Sequence, residues 1–257
     1  MLWEIADTPH RLLGSAHVLS AETVFPNWVT ASYEGIERFI FESGGKGSPY
    51  EIGVDRTRAH LKLPGVSEVY QSTKTLLASI GSYDSFDDLL PWAVAFHVVD
   101  RFLPVLGVSP IYGVDYQLRT MAESNRLKID FLESSTRSSE LIDSSCKEAM
   151  GGLSFLEQTV EDFRSGECRV ELRRLIRAWL SSDLVDFNAI RDEHLIKFPS
   201  VFYPVITQRN REWGSVAKRF SADKSPMLFV VGCLHTVGSD SFVEQMEANG
   251  LRLNFIA

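Results

Sequence analysis

Nothing in this sequence supplies a membrane span, a basic arm or a disulfide framework. Apolar runs such as Leu103 to Val108 fall far short of the roughly 20 residues needed to cross a bilayer, so no membrane span is expected. No stretch reads as a Lys/Arg cluster. The formal charge of −8 leaves no surplus of cations to neutralise a phosphate backbone, and nucleic acid is not expected as a partner. Cysteine is scarce and odd in number: Cys146, Cys168 and Cys233 form no Cys-x-x-Cys pair of the kind used by zinc ribbons or redox motifs. The opening residues carry acids where a secretory signal carries bases, and no long apolar run follows. As given, the chain reads as cytoplasmic, with export after removal of a signal peptide as the alternative.

What is present is an ordinary globular composition, with 44% hydrophobic and 23% charged residues in 257. That length lies near the upper limit for one hydrophobic core, so a single domain over 1–257 is expected. Five short apolar, β-branched or aromatic runs read as buried strands: Arg11 to Leu13, Arg38 to Phe41, Lys128 to Leu132, Met227 to Val231 and Leu251 to Ile256. Helical patterns lie between them, over Ala21 to Glu37, Asp84 to Phe102, from an N-capping Asp115 onward, and Glu148 to Leu180. The alternation predicts an α/β fold: a central, largely parallel or mixed sheet flanked by helices. Residues 55–103 and 138–202 contain no convincing strand and read as helical insertions, with breaks at Gly151-Gly152 and Ser165-Gly166.

An internal echo carries the chemistry. Leu-Leu-Gly-Ser-Ala-His closes the first of these strands at His17, and Val-Val-Gly-Cys-Leu-His closes a late one at His235. Each is a strand running into Gly-x-x-His, in which glycine is expected to let the backbone turn sharply. A second pair of strands ends in Glu-Ser, at Glu42 and Glu133. In a largely parallel sheet the carboxyl ends share one edge, where ligands bind. Two imidazoles and two carboxylates gathered there suit a divalent metal with an open position for water, or equally a metal-free acid/base pair.

These residues also carry a resemblance. Leu2-Trp3-Glu4-Ile5, Leu13-Gly14-Ser15-Ala16-His17-Val18, Phe41-Glu42, Gly113-Val114-Asp115, Leu132-Glu133, Arg209-Asn210 and Val231-Gly232-Cys233-Leu234-His235 with Gly238 follow the order and spacing of the TraB/GumN/Tiki family. That family is distantly related to the erythromycin esterase and ChaN-like proteins. The resemblance implies a ChaN/EreA-like fold and a metal-dependent, peptidase-like hydrolase acting on a peptide or a small amide or ester. It implies a divalent manganese, cobalt or zinc ion on His17, Glu42 and His235, with Glu133 as a further ligand or general base. Arg209 would stabilise an oxyanion, grip a substrate carboxylate, or orient Glu42 or Glu133 through a salt bridge; Asn210 and Asp115 would bind substrate or orient. It also leaves open a non-catalytic peptide-binding, sequestering protein and a haem binder of the ChaN-like type.

Other candidates are set aside. His97 lies on a very apolar helical stretch and reads as a satisfied core histidine, or as a pocket residue on a lid helix. His60 and His194 lie among charges on expected helix surfaces, and His10 in a turn. Cys233 suits a small core position, and Ser15 lacks the Gly-x-Ser-x-Gly elbow of a serine esterase. Trp179, Phe187, Phe198, Phe202 and Tyr203 read as helix-packing core.

Overall fold

A computed structural model describes residues 1–44, 52–147 and 152–257. Six strands form one sheet: β1 (Leu2–Ile5), β2 (Arg11–Ser15), β3 (Arg38–Gly44), β4 (Lys128–Ser134), β5 (Met227–Gly232) and β6 (Leu253–Phe255), in the order β4-β3-β5-β2-β1-β6. The pairings β4-β3, β3-β5 and β5-β2 are parallel, whereas β1 runs antiparallel to both β2 and β6. The fold is therefore α/β with a mixed sheet whose centre is parallel. β5 has all six residues buried, as a strand covered on both faces requires. Four of the five expected strands fall where the apolar runs placed them. The last shortens to Leu253–Phe255, and β1 was not among the expected five.

The helices are α1 (Asn27–Tyr33), α2 (Val66–Ala78), α3 (Pro91–Phe102), α4 (Val114–Ser124), α5 (Arg137–Cys146), α6 (Leu153–Ser165), α7 (Glu167–Leu180), α8 (Leu184–Lys197), α9 (Pro199–Phe202), α10 (Arg209–Phe220) and α11 (Phe242–Ala248). A π-helical segment, Tyr203–Gln208, joins α9 to α10. The helix expected over Ala21 to Glu37 is confined to α1, because Pro26 sits at its N-cap and Val24 is 84% exposed. Pro91 likewise delays the start of α3 beyond the expected Asp84. Asp115 does not cap α4; Gly113 holds that place and Asp115 lies in the first turn, its carboxylate turned elsewhere. The expected breaks hold at Gly152 and Gly166, both left-handed, with φ of 84° and 82°. The expected helical residues Glu148 to Gly151 lie outside the described ones.

Two hydrophobic clusters result. One packs both faces of the sheet and includes Leu13, Phe39, Trp179, Trp213 and Phe229. The other is built mainly from helices and includes Tyr70, Trp92, Val98, Leu156 and Phe198. His60 and His194 are buried rather than on the surface, and His10, in its turn, is buried too; each ring reaches a polar partner inside. His60 Nδ1 lies 3.0 Å from Asp55, His194 Nε2 lies 2.7 Å from Glu171, and His10 Nε2 faces the Ser221 carbonyl at 3.4 Å. His97 is only part-buried and its Nε2 lacks a hydrogen-bond partner, so it is not the satisfied core histidine expected. Among the described residues no helix is long and apolar enough to cross a membrane.

Candidate active site at the carboxyl edge of the sheet

The parallel strands β2, β3, β4 and β5 all end on one edge, and registers such as Ser15 opposite Gly232 and Ser43 opposite Glu133 bring their ends level. His17 follows β2 by two residues, and His235 sits in a 3-10 turn directly after β5. Glu42 and Glu133 lie near the ends of β3 and β4. All four meet around one cation, Arg209, the first residue of α10.

The guanidinium of Arg209 is nearly buried. It donates through Nη2 to Glu42 Oε2 at 2.9 Å and through Nε to Glu133 Oε1 at 2.9 Å. Its Nη1 donates to the Val205 carbonyl at 3.2 Å and lies 3.4 Å from His235 Nε2. The wider π turn before Arg209 carries that carbonyl, in keeping with the frequency of π turns at functional sites. Trp213, one turn along α10, stacks under the guanidinium at 4.5 Å and donates its indole N–H to Glu133 Oε2 at 2.8 Å. Both Glu133 oxygens are thus taken by Arg209 and Trp213, and Glu133 stands behind the arginine rather than on the cavity wall.

Both histidines turn Nε2 toward the same oxygen, Glu42 Oε1, at 3.7 Å each. Their other nitrogens are braced. His17 Nδ1 lies 2.9 Å from Asp115 Oδ2, and Asp115 Oδ1 accepts from the Ser15 hydroxyl at 2.8 Å. His235 Nδ1 lies 2.7 Å from Asn210 Oδ1. Asn210 Nδ2 donates to the carbonyls of Asp240 and His235, which fixes the amide with its oxygen toward the imidazole. His235 therefore donates from Nδ1 and keeps a lone pair on Nε2.

The two imidazoles sit in opposite electrostatic settings. The Asp115 carboxylate pulls the His17 pKa up to about 9, with burial opposing and Glu42 assisting. The ring is 56% exposed at the mouth, so solvent screens part of that pull. Burial pushes His235 down to about 3, helped by the Arg209 charge, and it is neutral at physiological pH. Burial alone would raise Glu42, but His235, Arg209 and His17 and the Gly232 N–H at 2.5 Å hold its carboxyl well below the usual range. With His235 neutral, Arg209 and His17 supply most of that hold. Burial raises Glu133 despite Arg209. Burial also pushes the Cys233 thiol up to about 12, which leaves it a poor nucleophile.

The glycines of the Gly-x-x-His motifs act by leaving space, not by turning the chain. Gly232 has φ of −56°, open to any residue, yet a Cβ there would stand 2.5 Å from His17 Nε2. Gly14 is packed against Met1 and Thr236. Gly113 is pressed against the His17 carbonyl, where a Cβ would clash, and this contact seats Asp115 beside the His17 ring. Sequence reasoning missed Trp213, although its i, i+4 spacing from Arg209 was the available signal.

Beside these groups opens a cavity of about 300 Å³ with largely apolar walls. His97 does not line it. Among the described residues no three His, Cys, Asp or Glu donors converge closely enough to hold a metal ion as they stand. Glu42 Oε2 and His235 Nε2 instead face the Arg209 guanidinium. The arrangement as it stands is a set of acid/base groups wrapped around a fixed cation, and it does not fit a resident divalent ion without movement of Arg209.

The TraB/PrgY/gumN family model matches residues 1–254, and the chain belongs to that family. No curated protein and no solved structure matches it.

Proposed function

We propose that this member of the family is a hydrolase of peptide, amide or ester bonds working by general acid/base catalysis. The observation that carries the reading is the pair of imidazoles that both turn Nε2 to one carboxylate oxygen beside an apolar cavity, one braced by a carboxylate at the mouth and the other by a buried amide. Environments that drive the pKa values of neighbouring groups apart are how a site assigns acid and base roles. His17, an imidazolium at the mouth, donates a proton to the departing nitrogen or oxygen. Glu42 takes the proton of the attacking water. Arg209 faces the carbonyl oxygen, where its fixed cationic fork stabilises the charge that develops. Asn210 and Asp115 orient the two rings, and Glu133 with Trp213 orients Arg209. The general-base role considered for Glu133 passes to Glu42, because Glu42 lies on the cavity wall and Glu133 stands behind Arg209, away from it.

A capped peptide library incubated with the protein and read by mass spectrometry tests this. Fragments are expected from the native chain, none from Glu42→Gln, and reduced yield from Glu133→Gln. Intact peptides recovered from a native protein that binds them would replace the hydrolase with a sequestering protein.

A metal-dependent hydrolase is the second reading, favoured by the two Nε2 atoms that share Glu42 Oε1. His17, Glu42 and His235 would hold a manganese, cobalt or zinc ion, which would supply Lewis-acid polarisation and a more acidic water. It requires Arg209 to withdraw from His235. Elemental analysis after reloading, with near-stoichiometric metal lost in both His17→Ala and His235→Ala, would establish it over the first reading.

A further inference from the structure

The cavity beside the site has walls that the chemistry does not use. On α7, Leu172, Leu175, Ile176 and Trp179 fall at i, i+3, i+4 and i+7 and form one face of the helix. Such a stripe normally disappears into a core. Here only Trp179 is buried, and the other three are left half-covered because they face the cavity. Across from them stand Phe202 and Val205, the latter on the π turn whose carbonyl holds Arg209. The floor is rigid: the Trp179 indole donates to the Gly14 carbonyl at 2.9 Å and meets Trp28 edge-on at 5.1 Å. Among the described residues, the only ionisable side chains on the cavity wall are His17, Glu42, Arg209, Cys233 and His235.

We infer that this cavity is a side-chain subsite that selects an uncharged apolar group, of leucine to phenylalanine size, on the residue next to the attacked carbonyl. The inference rests on the hydrolase reading for its place beside the scissile bond, but selection of the side chain follows from the walls alone. An apolar group covers the exposed stripe of α7 and removes it from water. Among the described residues, the walls offer a lysine or aspartate side chain no partner beyond groups already paired with each other.

The test uses a panel of end-capped tripeptides, Gly-Xaa-Gly with Xaa as Leu, Phe, Ala, Lys or Asp, against the full chain. Binding is measured by calorimetry and cleavage by mass spectrometry. Leu and Phe are expected to exceed Ala by roughly tenfold to a hundredfold in affinity or in kcat/KM, and Lys and Asp to fall below Ala. Ile176→Trp, which fills the cavity, is expected to bring Leu and Phe down to the level of Ala. Apolar preference in binding without cleavage supports the subsite while removing the hydrolase. Cleavage without apolar preference, or the same preference in Ile176→Trp, overturns the subsite and leaves the hydrolase standing. Equal affinity across the panel, or binding of none of its peptides, also overturns it.

Discussion

The carboxyl edge of the sheet and the helical cluster differ in what they do with buried polar groups. Around the sheet, Arg209, Glu42, Glu133, Asn210 and His235 are buried or nearly so, and each is bonded to another member of the set. In the helical cluster, His60 Nε2, Trp92 Nε1 and His97 Nε2 are buried without a hydrogen-bond partner. A closed polar network fixes one geometry, because each lost bond leaves a desolvated group behind. Isolated polar atoms in an apolar layer specify little and cost stability. The sheet edge is thus built to hold charges in place, while the helices mainly supply volume and one wall. The cavity lies at the seam, with Leu175 and Trp179 packed on the first cluster and Phe202 and Val205 on the second.

Breaking the network at its centre should have the largest effect. Arg209→Ala leaves two buried carboxylates without their cation and is expected to cost about 3–5 kcal/mol. In a chain of this size that corresponds to a fall in Tm on the order of 10 °C, read by thermal denaturation, with activity lost. A Tm within about 2 °C of the native chain would remove Arg209 as the centre of the network. In the helical cluster, Leu156→Ala is expected to cost about 2–5 kcal/mol through the cavity it leaves. Its kcat/KM well below the melting range should stay unchanged, and a parallel loss of activity would couple the two regions more tightly than the packing implies.

Gly232→Ala inverts that pattern. A Cβ there must displace His17, so activity should fall at least tenfold while urea midpoints move little. The acid limb of stability belongs to the sheet as well. The His235 pKa lies at about 3 in the folded chain against 6.5 ordinarily, so its contribution is full above pH 6.5 and is lost as pH falls toward 3. Glu42, also lowered, acts in the same direction. Urea midpoints measured from pH 7 to pH 4 should decline, and His235→Asn should flatten that decline. The smallest effect is expected for Trp92→Phe, which removes a buried, unbonded N–H and should change stability by no more than about 1 kcal/mol.

Much of this arrangement was legible in the residues. Apolar runs located β2 to β5, and the paired Gly-x-x-His and Glu-Ser endings located four side chains that the parallel register then brought together. The short antiparallel β1 was missed, since Leu2, Trp3 and Ile5 give no clean alternation and the strand depends on its partners. His60 and His194 were misplaced because their charged neighbours in sequence resemble a surface, while burial comes from residues packed over them in space. Trp213 was missed because its value lies in a bond to Glu133, 80 residues away.

Local pattern by itself determined where strands end and which residue types stand there, because strand and helix periods are properties of adjacent residues. The chemical setting of those residues came from packing in three dimensions. It set one histidine against a carboxylate at the mouth and buried the other beside an amide, placed Glu133 behind Arg209, and gave Gly232 to His17. Each outcome depends on desolvation and on charges brought within a few ångströms by residues far apart in the chain, and Coulombic and steric effects act through space, not along the sequence.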